Sequence, residues 1–129
     1  MTGPGEEGLF LDLRARGTAG EIEKLFPPPS YFTAYVDGAL IRDKAGLLDA
    51  LAAAFKFPSY FGKNWDALLD CLRSLPDELP ARGYVLAVRN SGAFLSSSPK
   101  DLEDFSEIAG EARSFLKDKF RVSFTIVLL

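Results

Sequence analysis

The sequence predicts an α/β fold: a small three-stranded parallel sheet packed by helices, preceded by an N-terminal extension. Three observations lead there. Runs rich in β-formers occur at Tyr31–Val36, Gly83–Asn90 and Val122–Leu129. Segments with helical spacing of apolar residues separate these runs. Strands joined through helical crossovers pair in parallel, with right-handed connections.

The elements follow in order. "LFLDL", Leu9 to Leu13, alternates apolar and polar residues and suits a short edge strand. "AGEIEKLF" suits a brief helical turn. Three prolines in "FPPPS", Phe26 to Ser30, stop any helix before them and form an extended connector. Residues 1–29 are therefore an extension, too short for a domain of its own, and residues 30–129 are the main domain. The extension either packs on the main domain or stays mobile.

After the first long strand, Asp37–Gly38 signals a turn and Asp43 suits an N-cap. Leu47, Leu48, Leu51, Ala52 and Phe55 mark the first main helix, which Pro58 ends. A second helix is expected from Asn64, its N-cap, to Leu75, with Gly62 giving the loop before it conformational freedom. Pro76 and Pro80 bracket a connection to the buried strand Gly83–Asn90, and "SGAFLSSSP" forms a loop or a single helical turn. Ser98 then caps a helix that starts at Pro99, with the stripe Leu102, Phe105, Ala109, Ala112, Phe115 and Leu116. The closing strand belongs to the core.

Composition removes several functions. A length of 129 residues fits one compact domain, and 47% apolar with 26% charged residues is the ordinary globular mixture. A net charge of −3 speaks against a non-specific nucleic-acid binder and suits a basic protein partner. The chain has no histidine and one cysteine, so a Ser-His-Asp triad, a Cys-His pair and a His-ligated metal are all excluded. No cofactor motif is present, and neither a basic leader nor a membrane-length apolar run occurs. The lone cysteine suits a reducing cytoplasm.

The second helix carries the functional signal. At about 100° per residue, Leu68, Leu72, Leu75 and Cys71 form a core stripe. Cys71 is thus expected to be a small buried hydrophobe. Asp66 and Asp70 straddle the opposite direction, with Arg73 beside Asp66 and with Leu69 and Trp65 on one flank. An ordinary solvated face would account for two such carboxylates. Asp66 also sits in the first turn, where it favours the helix dipole. Asp70 lacks that reason, and Tyr60, Phe61 and Leu69 surround the acids with apolar groups, as at an interface. One of Tyr60 and Phe61 is expected to staple the loop to the helix. Trp65 is expected to be partly buried.

"YFGKNWDALLDCL" resembles the signature of the barstar family, intracellular inhibitors of secreted bacterial ribonucleases. The resemblance runs from Tyr31 to Leu129 through "DGALIRD", "FPSYFG", the Asp-Ala-Leu-x-Asp-Cys-Leu helix and "TIVLL". It implies a three-stranded parallel sheet packed by helices. It also implies a loop and helix that plug a ribonuclease active site. Asp70 then matches the principal acidic anchor, Asp66 a second carboxylate contact and Tyr60 an aromatic contact. Gly62 and Asn64 match loop and cap positions whose backbone aids recognition. The family has tryptophan where this chain has Leu69, and leucine where it has Trp65. A glutamate that the family contributes from a later helix falls at Lys117 or Leu116.

The resulting expectation is a monomer that binds, one to one, a small basic secreted guanyl-specific ribonuclease through Tyr60, Phe61, Gly62, Asn64, Trp65, Asp66, Leu69, Asp70 and Arg73. It carries no catalytic residue, cofactor or metal, and binds neither nucleic acid nor membrane. An immunity or regulatory protein against a different toxin or nuclease is the alternative. An enzyme that uses Asp66 and Asp70 would need a pocket or a third ligand at that helix.

Overall fold

A computed structural model describes residues 8–14 and 19–129 of the chain. The expectations placed on residues 1–7 and 15–18 lie outside the described residues. The elements are β1 (Phe10–Asp12), α1 (Ala19–Leu25), β2 (Tyr31–Asp37), α2 (Lys44–Ala54), α3 (Trp65–Arg73), α4 (Leu75–Glu78), β3 (Gly83–Arg89), α5 (Pro99–Phe120) and β4 (Ser123–Leu128). Short 3-10 turns at Gly38–Leu40 and Ser91–Ala93 follow β2 and β3.

The sheet has four strands, in the order β1-β4-β3-β2, all parallel. This corrects the expected three. The added strand comes from "LFLDL", where Phe10, Leu11 and Asp12 align with Ile126, Val127 and Leu128. The Ile126 amide donates to the Leu9 carbonyl and the Leu13 amide to the Leu128 carbonyl, each at 2.8 Å. Leu9 and Ile22 are fully buried, so the described part of the N-terminal segment packs against the sheet.

Strand alternation divides the core in two. Tyr84, Leu86 and Val88 of β3, with Phe124 and Ile126 of β4, face α2, α3 and α5. Val85, Ala87 and Val127 face the other way, onto Leu13 and Ile22 of the N-terminal segment. The larger cluster includes Leu47, Leu51, Leu68, Leu72, Phe105 and Leu116, each worth about 1.5–3 kcal/mol on burial. Tyr84 is buried within it, and its hydroxyl donates to the Leu79 carbonyl at 2.6 Å. Burial raises the Tyr84 pKa above its ordinary value.

The caps hold with one exception. The Asp43 side chain accepts from the Gly46 amide at 2.9 Å and so starts α2. Ser98 makes no side-chain cap at α5, contrary to expectation. Asp101 in the first turn of α5 instead accepts from the Lys44 amide at 2.9 Å, which ties α5 to the start of α2. Gly38 is required by close approach: a Cβ there would meet the carbonyl oxygens of Asn90 and Arg89 at 2.7 and 2.9 Å.

Candidate partner-binding site

The loop from Phe55 to Asn64 and the helix α3 form one continuous surface. Aromatic packing and backbone hydrogen bonds order the loop. Phe57 stacks on buried Phe55 at 6.0 Å between centroids, and Phe61 packs on Phe57 at 5.1 Å. The Phe57 amide donates to the Ala52 carbonyl at 2.9 Å and the Phe61 amide to the Pro58 carbonyl at 3.0 Å. Phe61 is thereby the anchoring aromatic, while neighbouring Tyr60 stands 82% exposed.

Asn64 starts α3 as the sequence predicts. Its side-chain oxygen accepts from the Ala67 amide at 2.8 Å, and its amide donates back to the Gly62 carbonyl at 3.2 Å. Gly62 does not supply a left-handed residue. Lys63 does so instead, at φ 46°. Gly62 contributes an acceptor and a small profile at the loop end.

Asp66 and Asp70 are both exposed, on the side of α3 opposite buried Leu68 and Leu72. Four cations stand around this surface, and each is held elsewhere. Lys63 pairs with Asp49 of α2 at 3.0 Å. Lys44 sits 5.2 Å from the centre of the Trp65 ring. Lys56 lies 6.0 Å above Phe32. The Arg73 guanidinium lies 5.1 Å above Phe115 of α5, not beside Asp66 as expected. Among the described residues, neither aspartate makes a salt bridge or a side-chain hydrogen bond.

Trp65 is partly buried as expected, while Leu69 differs from the helical-wheel reading. Leu69 and Trp65 are half-buried and pack against the main core, so Leu69 does not point simply to solvent. Cys71 is half-buried and not enclosed. It borders a cleft of about 190 Å³, with Tyr60, Phe57, Asp70 and Glu78 among its walls. Desolvation, then the nearby charges of Asp70 and Glu78, push the Cys71 thiol pKa up. The thiolate is therefore scarce at neutral pH.

That cleft is a concavity beside α3, which an enzyme using Asp66 and Asp70 would need. It takes in Asp70 but not Asp66, so the two aspartates do not share a cavity. Among the described residues, no group of three His, Cys, Asp or Glu side chains could hold a metal ion. Nor, among the described residues, is any helix long and apolar enough to cross a membrane. Lys117 is exposed and lines a separate groove with Arg113 and Arg121.

The arrangement is suited to docking. Two uncompensated carboxylates stand a helical turn apart, beside an exposed tyrosine on an ordered loop. Comparison with known proteins adds a family and a relative. The family described as "Barstar (barnase inhibitor)" matches residues 31–128. A Bacillus subtilis (strain 168) protein named "Putative ribonuclease inhibitor YrdF" is 36% identical over 87 residues, which span 67% of this chain and 91% of that protein.

Proposed function

The chain belongs to the barstar family, and from that membership we propose that it inhibits a small, basic, secreted guanyl-specific ribonuclease by occupying its active site. Residues 30–129 form the inhibitor domain and residues 1–29 the extension. The protein acts in the cytoplasm of the producing cell, as a monomer bound one to one. The carrying observation is the pair Asp66 and Asp70, exposed and left without a cation among the described residues.

Asp70 puts a carboxylate where an RNA phosphate would sit, and accepts charge-assisted hydrogen bonds from the enzyme's arginines. Asp66 adds a second contact. Tyr60, Phe61 and Leu69 exclude water around them, with Trp65 at the edge, which strengthens those bonds. Gly62 and Asn64 supply loop backbone. The ordered loop keeps the entropic cost of docking low. Inhibition of this kind needs no catalytic group or cofactor.

The test is a titration of small basic secreted ribonucleases with wild type and Asp70→Ala. Removing one member of a desolvated ion pair costs about 3–5 kcal/mol, so the variant should lose most inhibition while its unfolding midpoint stays put. Equal inhibition by the two proteins would overturn the proposal. An immunity or regulatory protein against a different toxin or nuclease is the second reading. It is favoured by the cation Arg73 standing on the same surface. Tight binding to a nuclease outside the guanyl-specific class would select it.

A further inference from the structure

The partner-binding surface has a cationic half. Arg73 of α3 and Lys119 of α5 converge on one ring, at 5.1 and 5.5 Å from the Phe115 centroid. Neither has a carboxylate within salt-bridge distance among the described residues. The Arg73 Nε is buried and has no hydrogen-bond acceptor. Arg73 as a whole is half-buried and makes no side-chain hydrogen bond among the described residues.

This is a partly dehydrated cation with no counter-ion among the described residues. Stacking on Phe115 compensates part of the cost, and a second positive charge on the same ring adds to it. An arginine beside an acid at i,i+3 would ordinarily turn towards it. Arg73 instead leaves Asp70 bare and lies over Phe115 of α5, from a position about two helical turns along α3 from Asp66. The pattern suits a partner with cations opposite the aspartates and an anion opposite the ring.

We propose that Arg73 and Lys119, stacked on Phe115, receive a carboxylate of the protein partner, so that the surface recognises a basic cluster and an acidic side chain together. The inference rests on the ribonuclease-inhibitor reading above and deepens it. A guanidinium over a ring can still offer its outer edge to a two-pronged carboxylate contact. The acidic half drives attachment to a basic enzyme. The cationic half selects among such enzymes, because one with a cation at that place would be repelled.

The sign of the effect decides. If these cations merely stand near a basic enzyme, removing them relieves repulsion and tightens binding. Under the proposal, removal weakens it. The measurement is the affinity of Arg73→Gln, Lys119→Gln and Arg73→Lys for whichever basic ribonuclease of the panel the wild type inhibits. Unfolding midpoints are recorded beside it. Each glutamine variant should bind about 10-fold more weakly, the loss of one charged hydrogen bond, and Arg73→Lys should recover part of that. Lys119 is exposed, so its variant keeps the test intact if Arg73→Gln folds poorly. Unchanged or tighter binding by both glutamine variants, with Asp70→Ala still inactive, overturns this inference alone. Full activity of Asp70→Ala, or inhibition of no ribonuclease by the wild type, overturns the reading beneath it.

Discussion

Arg73 stands three residues after Asp70 on the same helix, close enough to neutralise it, and Lys63 lies at the end of the loop, three residues before Asp66. Instead they serve Phe115 and Asp49. The spacing in the sequence places both acids opposite the core, but it cannot say where the cations go. Their holders lie on α2 and α5, far along the chain. Two other carboxylates are less free. Asp12 and Asp37 end the two edge strands, a charged finish that discourages edge-to-edge pairing. The Arg14 side chain donates to Asp12 and holds its carboxyl at about 2, below the ordinary 3.8. The Asn90 side chain, then the Ala39 amide, lower Asp37. A depressed folded-state pKa contributes stability that is present above the unfolded value and lost as pH falls through the folded one. Stability should therefore decline between about pH 4 and pH 2 through Asp12, and the Asp12→Asn, Asp37→Asn double variant should flatten that decline. Parallel unfolding curves for variant and wild type across that window would contradict it.

Among the elements, α3 was legible at its start and not at its end. Asn64 reads as a cap and is one. The sequence suggests one helix to Leu75, yet α3 stops at Arg73 and α4 begins at Leu75. Pro76 explains the break, since it has no amide to donate to the Leu72 carbonyl and it restricts Leu75 before it. Leu75 remains buried, so the apolar stripe was right while the continuity was not. The cleft was illegible because its walls come from both the loop and the α3–α4 junction. The cap links stability to binding. Asn64→Ala should cost about 1 kcal/mol in denaturant unfolding, and should weaken inhibition further by loosening the turn that carries Asp66. Asn64→Asp should restore both, and inhibition unaffected by Asn64→Ala would separate the cap from the site.

For the whole molecule, the parallel sheet and its covering helices follow from the order of apolar runs. The fourth strand shows in the alternation of Leu9 to Leu13, but its place in the sheet does not, because its partner Ile126 lies at the far end of the sequence. What the N-terminal segment covers is also hidden in the sequence. Val85, Ala87 and Val127 read simply as strand residues, and their shield is Leu13 and Ile22. Deleting residues 1–26 should lower stability by about 3–6 kcal/mol, from the loss of two fully buried aliphatic side chains alone. It should also raise binding of a hydrophobic dye. A truncated chain that unfolds at the same urea concentration would show that this face needs no cover.

The position of β4 between β1 and β3 has a consequence for synthesis. Phe10 leaves the ribosome long before its partner Ile126. Until β4 has emerged, β1 has no strand to pair with and β3 has one bare edge. Contacts this distant in sequence form late. A nascent chain halted before Ser123 therefore carries the whole acidic helix, but on an unfinished sheet. Emergence of β4, rather than of the acidic helix, sets when the fold can close.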